Sequence, residues 1–349
     1  MTRTMGQTGE LHVVVGAGAI GRGVAVGLAA RGHRVRVVTR SGLAVACGVE
    51  SVAADAANAE AIARLADGAT VIYNCANPAY HRWPLDWPPI ARSLLDAAEA
   101  NGAVLVTVSN LYGYGPARGS LGVDAYDTSH PMTEATPLAA SGSKGRVRAQ
   151  MWRDALAAHR EGRLRAVEVR ASDYVGPGAA SVLGERLVPR LLRSKSVSLL
   201  GRTDRAHTWS FTQDVARLVV VAGSDSRAWG HAWHAPSNEP RTQREVVEEL
   251  AHVAGVSQVR VRTLPAALFQ GLGLVSPLLR ELRETEYQFL DDFVMDSSAA
   301  RRTFGLEPTP WQEILAATLR AYGWTGVAAR GSNGPSSPRA IAADREVSP

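Results

Sequence analysis

The chain has 349 residues, 46% of them hydrophobic and 20% charged, which is the composition of a globular protein with room for a large α/β domain and a smaller one. Its net charge of +5 comes from scattered basic residues without the clusters of a nucleic-acid-binding surface. No apolar run reaches the ~18 residues of a membrane span, and the polar start lacks the hydrophobic region of a signal peptide. Two cysteines, Cys47 and Cys75, form neither a disulfide framework nor a metal motif. We therefore expect a cytoplasmic protein with no nucleic-acid partner, no membrane partner and no metal.

The first half of the chain alternates strand-like and helix-like segments. A short apolar run at Leu11–Val15 ends at glycines, as a buried parallel strand does. Further strands are predicted at 34–39, before Asp55, and at 70–74, 103–108 and 164–170, with helices at 19–31, 59–66, 90–101 and 145–159. Repeated βα units of this length predict an α/β fold with a Rossmann-type, doubly wound parallel sheet.

The second half has shorter and more mixed segments. Helices are predicted at 181–192, 214–221, 243–254, 277–289 and 310–322, and a strand at 197–200. We interpret residues 11–175 as a dinucleotide-binding domain, to which residues 205–235 return. We interpret residues 176–204 and 236–327 as a smaller, mostly helical C-terminal cap that binds the substrate. Such a cap would cover the carboxyl edge of the sheet, where open α/β sheets bind ligands. Residues 1–10 and 328–349 are predicted to be disordered.

A glycine-rich turn links the first strand to the first helix. Gly16, Gly18 and Gly21, with Ala19 and Ile20 between them, form a G-x-G-x-x-G pattern in the strand–turn–helix context that makes this pattern specific. The first glycine permits the tight turn, the second admits the pyrophosphate, and the third lets the helix pack on the strand. The helix N-terminus then faces the diphosphate, so we predict a nicotinamide dinucleotide site.

The end of the second strand predicts which dinucleotide is preferred. A site for NAD(H) usually carries an acidic residue there to bind the ribose 2′-hydroxyl. This chain has Arg40 beside Ser41, and an arginine pairs naturally with a 2′-phosphate. Arg22, early in the first helix, could add a second contact. We therefore predict NADP(H) rather than NAD(H).

Two further strand ends are placed to contact the cofactor. Asp55 and Ala56 follow the third strand, where an acid commonly binds the adenine amino group. Cys75 and Ala76 follow the fourth strand, where the backbone passes beside the cofactor.

Through these motifs the chain resembles an atypical member of the extended short-chain dehydrogenase/reductases, the NAD-dependent epimerase/dehydratase group. The matching motifs occur in order: the glycine turn, Asp55-Ala56, Asn74 to Ala76, Ser109 to Gly113, Met132 to Pro137, Ser143-Lys144, Arg170 to Pro177, and Asp214 to Ala216. The resemblance implies a catalytic Tyr-x-x-x-Lys pair, in which the tyrosine is the acid/base and the lysine holds the nicotinamide ribose. Lys144 fits the lysine, but Ala140 stands where the tyrosine is expected.

Because alanine cannot donate a proton, another residue must do so if a carbonyl is reduced. We expect Lys144 to bind the ribose hydroxyls and to supply positive charge. Tyr112 and Ser109 follow the fifth strand, and Asp173 follows the sixth, so these three are further catalytic candidates.

Two aromatic residues lie where the resembling family contacts its substrate. His207 and Trp209 precede the Asp214 motif, and we assign them provisionally to substrate binding. The resemblance also implies a possible homodimer formed through the helices at 90–101 and 145–159.

Three functions remain open after this reading. The first is an NADP-dependent oxidoreductase or epimerase-like enzyme acting on a small organic metabolite. The second is a non-redox isomerase, lyase or cyclase on the same fold, which the missing tyrosine motivates. The third is a non-catalytic regulatory protein that binds NADP(H).

Overall fold

A computed structural model describes residues 9–116, 127–179, 181, 183–185, 187–257, 259–263 and 284–326. The predicted disordered tail, most of the predicted N-terminal tail and the start of the predicted helix at 277–289 lie outside these ranges. None of the described helices is long and apolar enough to cross a membrane.

The N-terminal half contains the alternating strands and helices that the sequence predicts. In chain order they are β1 (Leu11–Val15), α1 (Ala19–Ala29), β2 (Arg34–Thr39), β3 (Val49–Ala53), α2 (Ala59–Leu65), β4 (Ala69–Asn74), α3 (Trp83–Asn101), β5 (Val104–Asn110), α4 (Ser143–Arg160) and β6 (Arg165–Ala171). Helix α3 begins earlier than the predicted residue 90. Pro84 lies in the first turn, where the backbone N–H groups have no helical partner to lose. Pro88 and Pro89 lie in the second turn, where each removes one helical hydrogen bond.

The C-terminal half has shorter elements. They are β7 (Asp173–Val175), α5 (Val188–Leu192), β8 (Val197–Leu199), β9 (Ala206–His207), β10 (Trp209–Phe211), α6 (Thr212–Ser224), β11 (His231–His234), β12 (Arg241–Thr242), α7 (Gln243–Ala254), β13 (Val261–Thr263), α8 (Ser298–Phe304) and α9 (Trp311–Arg320). Among the described residues of the predicted helix at 181–192, α5 is the regular part, and Glu286–Phe289 forms a 3-10 turn.

A seven-stranded parallel sheet in the order β11-β6-β5-β4-β1-β2-β3 forms the centre of the molecule. Successive residues of β1 face opposite sides of this sheet. Val14 packs in the layer with α1 and α6, whereas Val13 and Val15 pack in the layer with α3 and α4. The predicted doubly wound fold is therefore confirmed, and its helical C-terminal part has an apolar core of its own that includes α5, α7 and α9.

The strand order reverses between β1 and β4. The chain runs outward from β1 through β2 and β3, and then returns to β4 on the other side of β1. The loops after β1 and β4 therefore separate at the carboxyl edge and leave a crevice, which is where doubly wound sheets bind ligands.

Candidate functional site

Two adjoining cavities occupy this crevice. The outer cavity, of about 610 Å³, lies between the carboxyl ends of β1, β2 and β4. The inner cavity, of about 240 Å³, extends past the ends of β5 and β7. Gly18, Cys75, Ala76 and Asn77 line both of them. Together the two cavities form an elongated cleft across the switch point of the sheet.

The glycine turn has the local geometry that an approaching ligand requires. Gly16 has a φ of 99°, and a Cβ on it would collide with the carbonyl of Cys75. A Cβ on Gly21 would collide with the carbonyl of Gly16, so both positions are closed by backbone. A Cβ on Gly18 would meet nothing within 4 Å, although this residue lines both cavities. The turn therefore leaves open space for a ligand at the N-terminus of α1, and these residues fit a dinucleotide diphosphate.

The outer cavity brings together most of the residues predicted to bind the cofactor. Its lining includes Gly16, Arg40, Asp55 and Ala56. Asp55 accepts a hydrogen bond from the backbone N–H of Ala57, which fixes its carboxylate at the cavity wall.

Two predicted contacts lie elsewhere. The Arg22 side chain donates to the carbonyl of Ala17 and lines a separate groove between α1 and α6. Ser41 is exposed and lines neither cavity of the cleft.

The sequence analysis missed Arg82 and Asp86 in the outer cavity. Arg82 forms a forked ion pair with Asp86 over 2.7–3.1 Å, one helical turn further on. Hydrogen bonding to Arg82 holds the pKa of Asp86 below its usual range, with Arg40 a smaller contributor. Two guanidinium groups and two carboxylates therefore line this cavity, and one of the carboxylates, Asp86, is paired with Arg82. The i,i+4 spacing on α3 was a visible signal, but only the fold brings α3 to Arg40.

The inner cavity contains three of the predicted catalytic residues, Ser109, Tyr112 and Asp173. Tyr112 is half-buried against the rings of Tyr80 and Trp83, and burial raises its pKa well above its ordinary value. A phenol in this state keeps its proton at neutral pH, so Tyr112 can donate a hydrogen bond but is a poor general acid.

Lys144 is almost fully buried, and it lines neither cavity. Its Nζ lies 3.1 Å from Glu284 and 4.8 Å from the centroid of the Tyr80 ring, and Tyr80 does line the inner cavity. Glu284 also accepts hydrogen bonds from the Lys144 backbone N–H at 2.6 Å and from the Ser143 hydroxyl at 2.8 Å. Burial would raise the pKa of Glu284, but these donors hold it below its usual range. The lysine is thus paired with a carboxylate that also caps α4.

Asp173 and His207 form a close pair at the inner cavity. An Asp173 carboxylate oxygen, Oδ2, lies 3.0 Å from Nε2 of His207, and it has no hydrogen-bond partner in the described part of the chain. Nδ1 of His207 lies 3.2 Å from the carbonyl oxygen of Gln288. Because a carbonyl only accepts, Nδ1 must carry a proton. Nε2 can then accept a hydrogen bond from the Ser172 hydroxyl, 3.4 Å away, on the same side of the ring that faces the Asp173 carboxylate.

Aromatic rings surround the imidazole of His207. The rings of Phe289 and Phe293 stack on it with centroids 5.1 and 5.3 Å away, and Trp209 lies 4.5 Å away at a tilt. Trp209 itself is buried in the C-terminal apolar core and donates to the Arg241 carbonyl. It thus supports His207 and does not line either cavity.

Arg148 is a further buried cation that the sequence analysis missed. It lies one helical turn after Lys144, lines the inner cavity, and places its guanidinium 4.6 and 4.2 Å from the Trp83 and Trp87 rings. Burial lowers its pKa to about 10. The i,i+4 spacing from Lys144 was the available signal.

Comparison with known proteins agrees with this geometry. Residues 12–233 match the NAD dependent epimerase/dehydratase family, whereas no curated protein matches the sequence.

Solved structures of three enzymes share the fold. UDP-glucose 4-epimerase from Thermotoga maritima, solved with UDP-glucose, is 17% identical with a TM-score of 0.71, covering 89% of this chain and 98% of that one. dTDP-glucose 4,6-dehydratase from Bacillus anthracis, solved with NAD, is 18% identical with a TM-score of 0.70, covering 90% and 96%. UDP-glucuronic acid 4-epimerase from Bacillus cereus, solved with UDP-glucuronic acid and NAD, is 15% identical with a TM-score of 0.71, covering 89% and 98%.

The resemblance inferred from the motifs is thereby confirmed, since the matched residues span well over half of the sequence. The chain belongs to the NAD dependent epimerase/dehydratase family.

Proposed function

We propose that this protein is an NADP(H)-dependent enzyme that oxidises or reduces a hydroxyl or carbonyl carbon of a small polar metabolite. The observation that carries the proposal is the single cleft that joins an open glycine turn, two guanidinium groups and the half-buried Asp173 carboxylate beside the buried imidazole of His207. When bound, a nicotinamide dinucleotide supplies hydride transfer.

The outer cavity supports a preference for NADP(H). Arg40 and Arg82 both line it, and the only acid at its α3 wall, Asp86, is already paired with Arg82. A 2′-phosphate would gain charge-assisted hydrogen bonds from these guanidinium groups. The ribose hydroxyl of NAD(H) would offer Arg40 no anionic ligand, whereas Arg82 has Asp86 as a partner with either cofactor.

The inner cavity supports acid/base chemistry without the usual tyrosine. With Ala140 at that position, the Asp173–His207 pair is the group that can hold or release a proton beside a substrate. The imidazole is held by Gln288 and the aromatic rings around it, so the pair is oriented before substrate arrives. We propose that Asp173 exchanges the proton with the substrate oxygen and that His207 positions Asp173.

The substrate class is inferred from chemistry and from the similar structures. Arg148 gives the inner cavity positive charge, and two of the similar structures were solved with nucleotide sugars. We propose a hydroxylated metabolite with a negatively charged group, covered by the segment around Gln288 and the other elements assigned to the C-terminal cap.

A regulatory dinucleotide-binding protein is the second candidate. Two observations support it. Lys144, which corresponds to the lysine that holds the cofactor in the family, is paired with Glu284, and residue 140 is alanine where the family has its catalytic tyrosine.

Calorimetric titration with NADPH and, separately, with NADH tests the proposal. We expect NADPH to bind at least ~10-fold more tightly, which corresponds to about 1.4 kcal/mol. Incubation with NADPH and a panel of carbonyl compounds, followed at the nicotinamide absorbance, then separates the candidates. Turnover supports the oxidoreductase, whereas binding without turnover favours the regulatory protein. Substrate conversion without an absorbance change favours a non-redox enzyme. Binding of neither cofactor contradicts both the oxidoreductase and the regulatory protein.

A further inference from the structure

Three side chains with metal-binding atoms meet at the amino edge of the sheet, opposite the cleft. Glu10 and His12 lie at the start of β1, and His33 lies just before β2. One ligand atom from each of the three falls within 4.8 Å of the others. The parallel pairing of β1 with β2 creates this proximity, since Leu11 is paired with Arg34.

His12 presents a buried nitrogen without a partner. The residue is 1% exposed, and its Nε2 has no hydrogen-bond partner. The nearest carboxylate oxygen, on Glu10, is 3.9 Å away, beyond hydrogen-bond distance. Buried polar atoms in folded proteins are almost always satisfied, so an orphaned nitrogen needs an explanation.

Tyr73 holds the other side of the His12 ring. Its hydroxyl lies 3.1 Å from Nδ1 and can accept the Nδ1 proton, which leaves a lone pair on Nε2. A ligating histidine in a metal site is typically held in this way by a hydrogen bond at its other ring nitrogen. Nε2 is therefore pre-oriented toward Glu10 and His33.

His33 completes the cluster from a more accessible position. Its ring centroid lies 4.2 Å from that of His12 at a 51° tilt, and no hydrogen bond or ion pair engages the His33 ring in the described part of the chain. Both histidines line a cavity of about 240 Å³, and Arg31 lines the same cavity. With a metal ion bound to the histidines, the positive charge of Arg31 would favour an anionic or neutral further ligand on that ion and would disfavour a second cation in the cavity.

We propose that Glu10, His12 and His33 bind one divalent transition-metal ion of the Zn²⁺ type, with water at the remaining position. Two imidazoles and a carboxylate suit Zn²⁺ and its neighbours in the first transition row, whereas Ca²⁺ and Mg²⁺ require oxygen ligands. The ion would fasten the start of β1 to the turn between α1 and β2. Because this edge is opposite the cleft, the metal is a structural element and not a participant in catalysis. The sequence shows no metal-binding motif for this site, because 20 residues separate His12 from His33.

Titration of tag-free, chelator-treated full-length protein with Zn²⁺ tests this proposal, with Co²⁺ as the spectroscopic probe. We expect one ion per chain, a ligand-field absorption typical of Co²⁺ bound to nitrogen and oxygen ligands, and a melting temperature that rises with free Zn²⁺. His33→Ala removes one ligand from an accessible position and should weaken binding at least ~100-fold, since loss of an outer-shell contact alone costs ~10–100-fold. His252→Ala, at an exposed position on α7, is the matched control and should bind as the unaltered protein does.

Several results would overturn the proposal. They are no stoichiometric binding to the unaltered protein, unchanged binding by His33→Ala, or loss of binding in Cys47→Ser, which would assign the ion to the exposed thiol. Glu10→Ala provides a second variant at an exposed side chain, so a folding defect in one variant does not leave the result undecided. NADPH titration is independent of this readout, and the proposed function can fail without affecting the metal result.

Discussion

At the scale of single residues, the cleft lacks the tyrosine expected at position 140 and contains a close pair formed by Asp173 and His207. Alanine stands at position 140, where the resemblance to the family implies a tyrosine. Two half-buried tyrosines that line the inner cavity, Tyr80 and Tyr112, are weaker acids than usual because burial raises the pKa of each. Asp173 instead offers a carboxylate oxygen without a hydrogen-bond partner at 3.0 Å from His207. We therefore propose that Asp173, positioned by His207, takes the place of the missing phenol.

Replacing Asp173 with asparagine tests that assignment. Asp173→Asn keeps the shape but cannot exchange a proton, so we expect turnover to fall by ~10²–10⁴-fold, with NADPH affinity unchanged. His207→Gln should lower turnover less than Asp173→Asn does and should shift the pH dependence of turnover, because His207 acts through Asp173. Asp204→Asn, at an exposed ion pair with Arg202, is the control and should retain full turnover. Full activity in Asp173→Asn would refute the role of the pair.

Replacing Arg40 with alanine tests the cofactor preference. Arg40→Ala removes one cation from the outer cavity, so we expect NADPH affinity to fall ~10–100-fold, in line with hydrogen bonds to charged groups worth about 1.5–3 kcal/mol. NADH affinity should stay the same. Arg64→Ala, on the exposed face of α2, should change neither affinity. Equal losses for both cofactors would mean that Arg40 contacts a part they share.

At the scale of elements, the turn between β1 and α1 separates ligand binding from folding. Gly16 and Gly21 are enclosed by backbone, whereas Gly18 is open and has an ordinary extended conformation with a φ of −66°. The same three-glycine motif therefore contains two positions that maintain the fold and one that maintains the cavity.

Two valine substitutions make this separation measurable. Gly18→Val should leave the midpoint of urea unfolding unchanged and abolish dinucleotide binding, because its side chain fills space that the ligand needs. Gly16→Val should unfold the protein at a lower urea concentration, since a φ of 99° strains any side chain and Cys75 blocks the space. Retained NADPH binding in a folded Gly18→Val variant would show that the dinucleotide does not pass this turn.

At the scale of the whole molecule, a buried polar chain links the sheet to the C-terminal part. Arg170 on β6 donates to the Tyr114 hydroxyl at 2.7 Å, and that hydroxyl lies 2.7 Å from Nε2 of His234. Nδ1 of His234 donates to the Asp296 carbonyl, also at 2.7 Å. Since Nδ1 carries the proton, Nε2 accepts from Tyr114 and the ring is neutral. Burial accordingly lowers the pKa of His234 to about 3.

This neutral histidine predicts a loss of stability in acid. The folded pKa lies below the unfolded value of about 6.5, so the unfolded chain binds the extra proton as pH falls. The stabilisation is complete above pH ~6.5 and declines toward pH ~3, with a slope of up to about 1.4 kcal/mol per pH unit from this residue. Urea unfolding between pH 7 and pH 5 should show a smaller decline for His234→Gln than for the unaltered protein. An equal decline in both would contradict the assignment, and His252→Gln is the exposed control.

Local signals in the sequence determined much of the nucleotide-binding half. The apolar run of β1, the three glycines and the βα alternation each depend on neighbouring residues, and they predicted the parallel sheet, the turn and the positions of Arg40 and Asp55 in the outer cavity. The same signals correctly led to the family, because its motifs are short and occur in a fixed order.

Only the tertiary structure decided which distant residues meet. Glu284 reaches Lys144 across 140 residues, Arg82 joins Arg40 through the packing of α3, and His33 approaches His12 through the pairing of β2 with β1. None of these contacts leaves a periodic or spaced pattern, because each depends on where the chain returns after a long excursion. The sequence could therefore identify the cleft and its glycine turn. Burial and proximity in the folded chain decided that Trp209 lies in the C-terminal core, that Arg22 lines another groove, and that Asp173 lies beside His207.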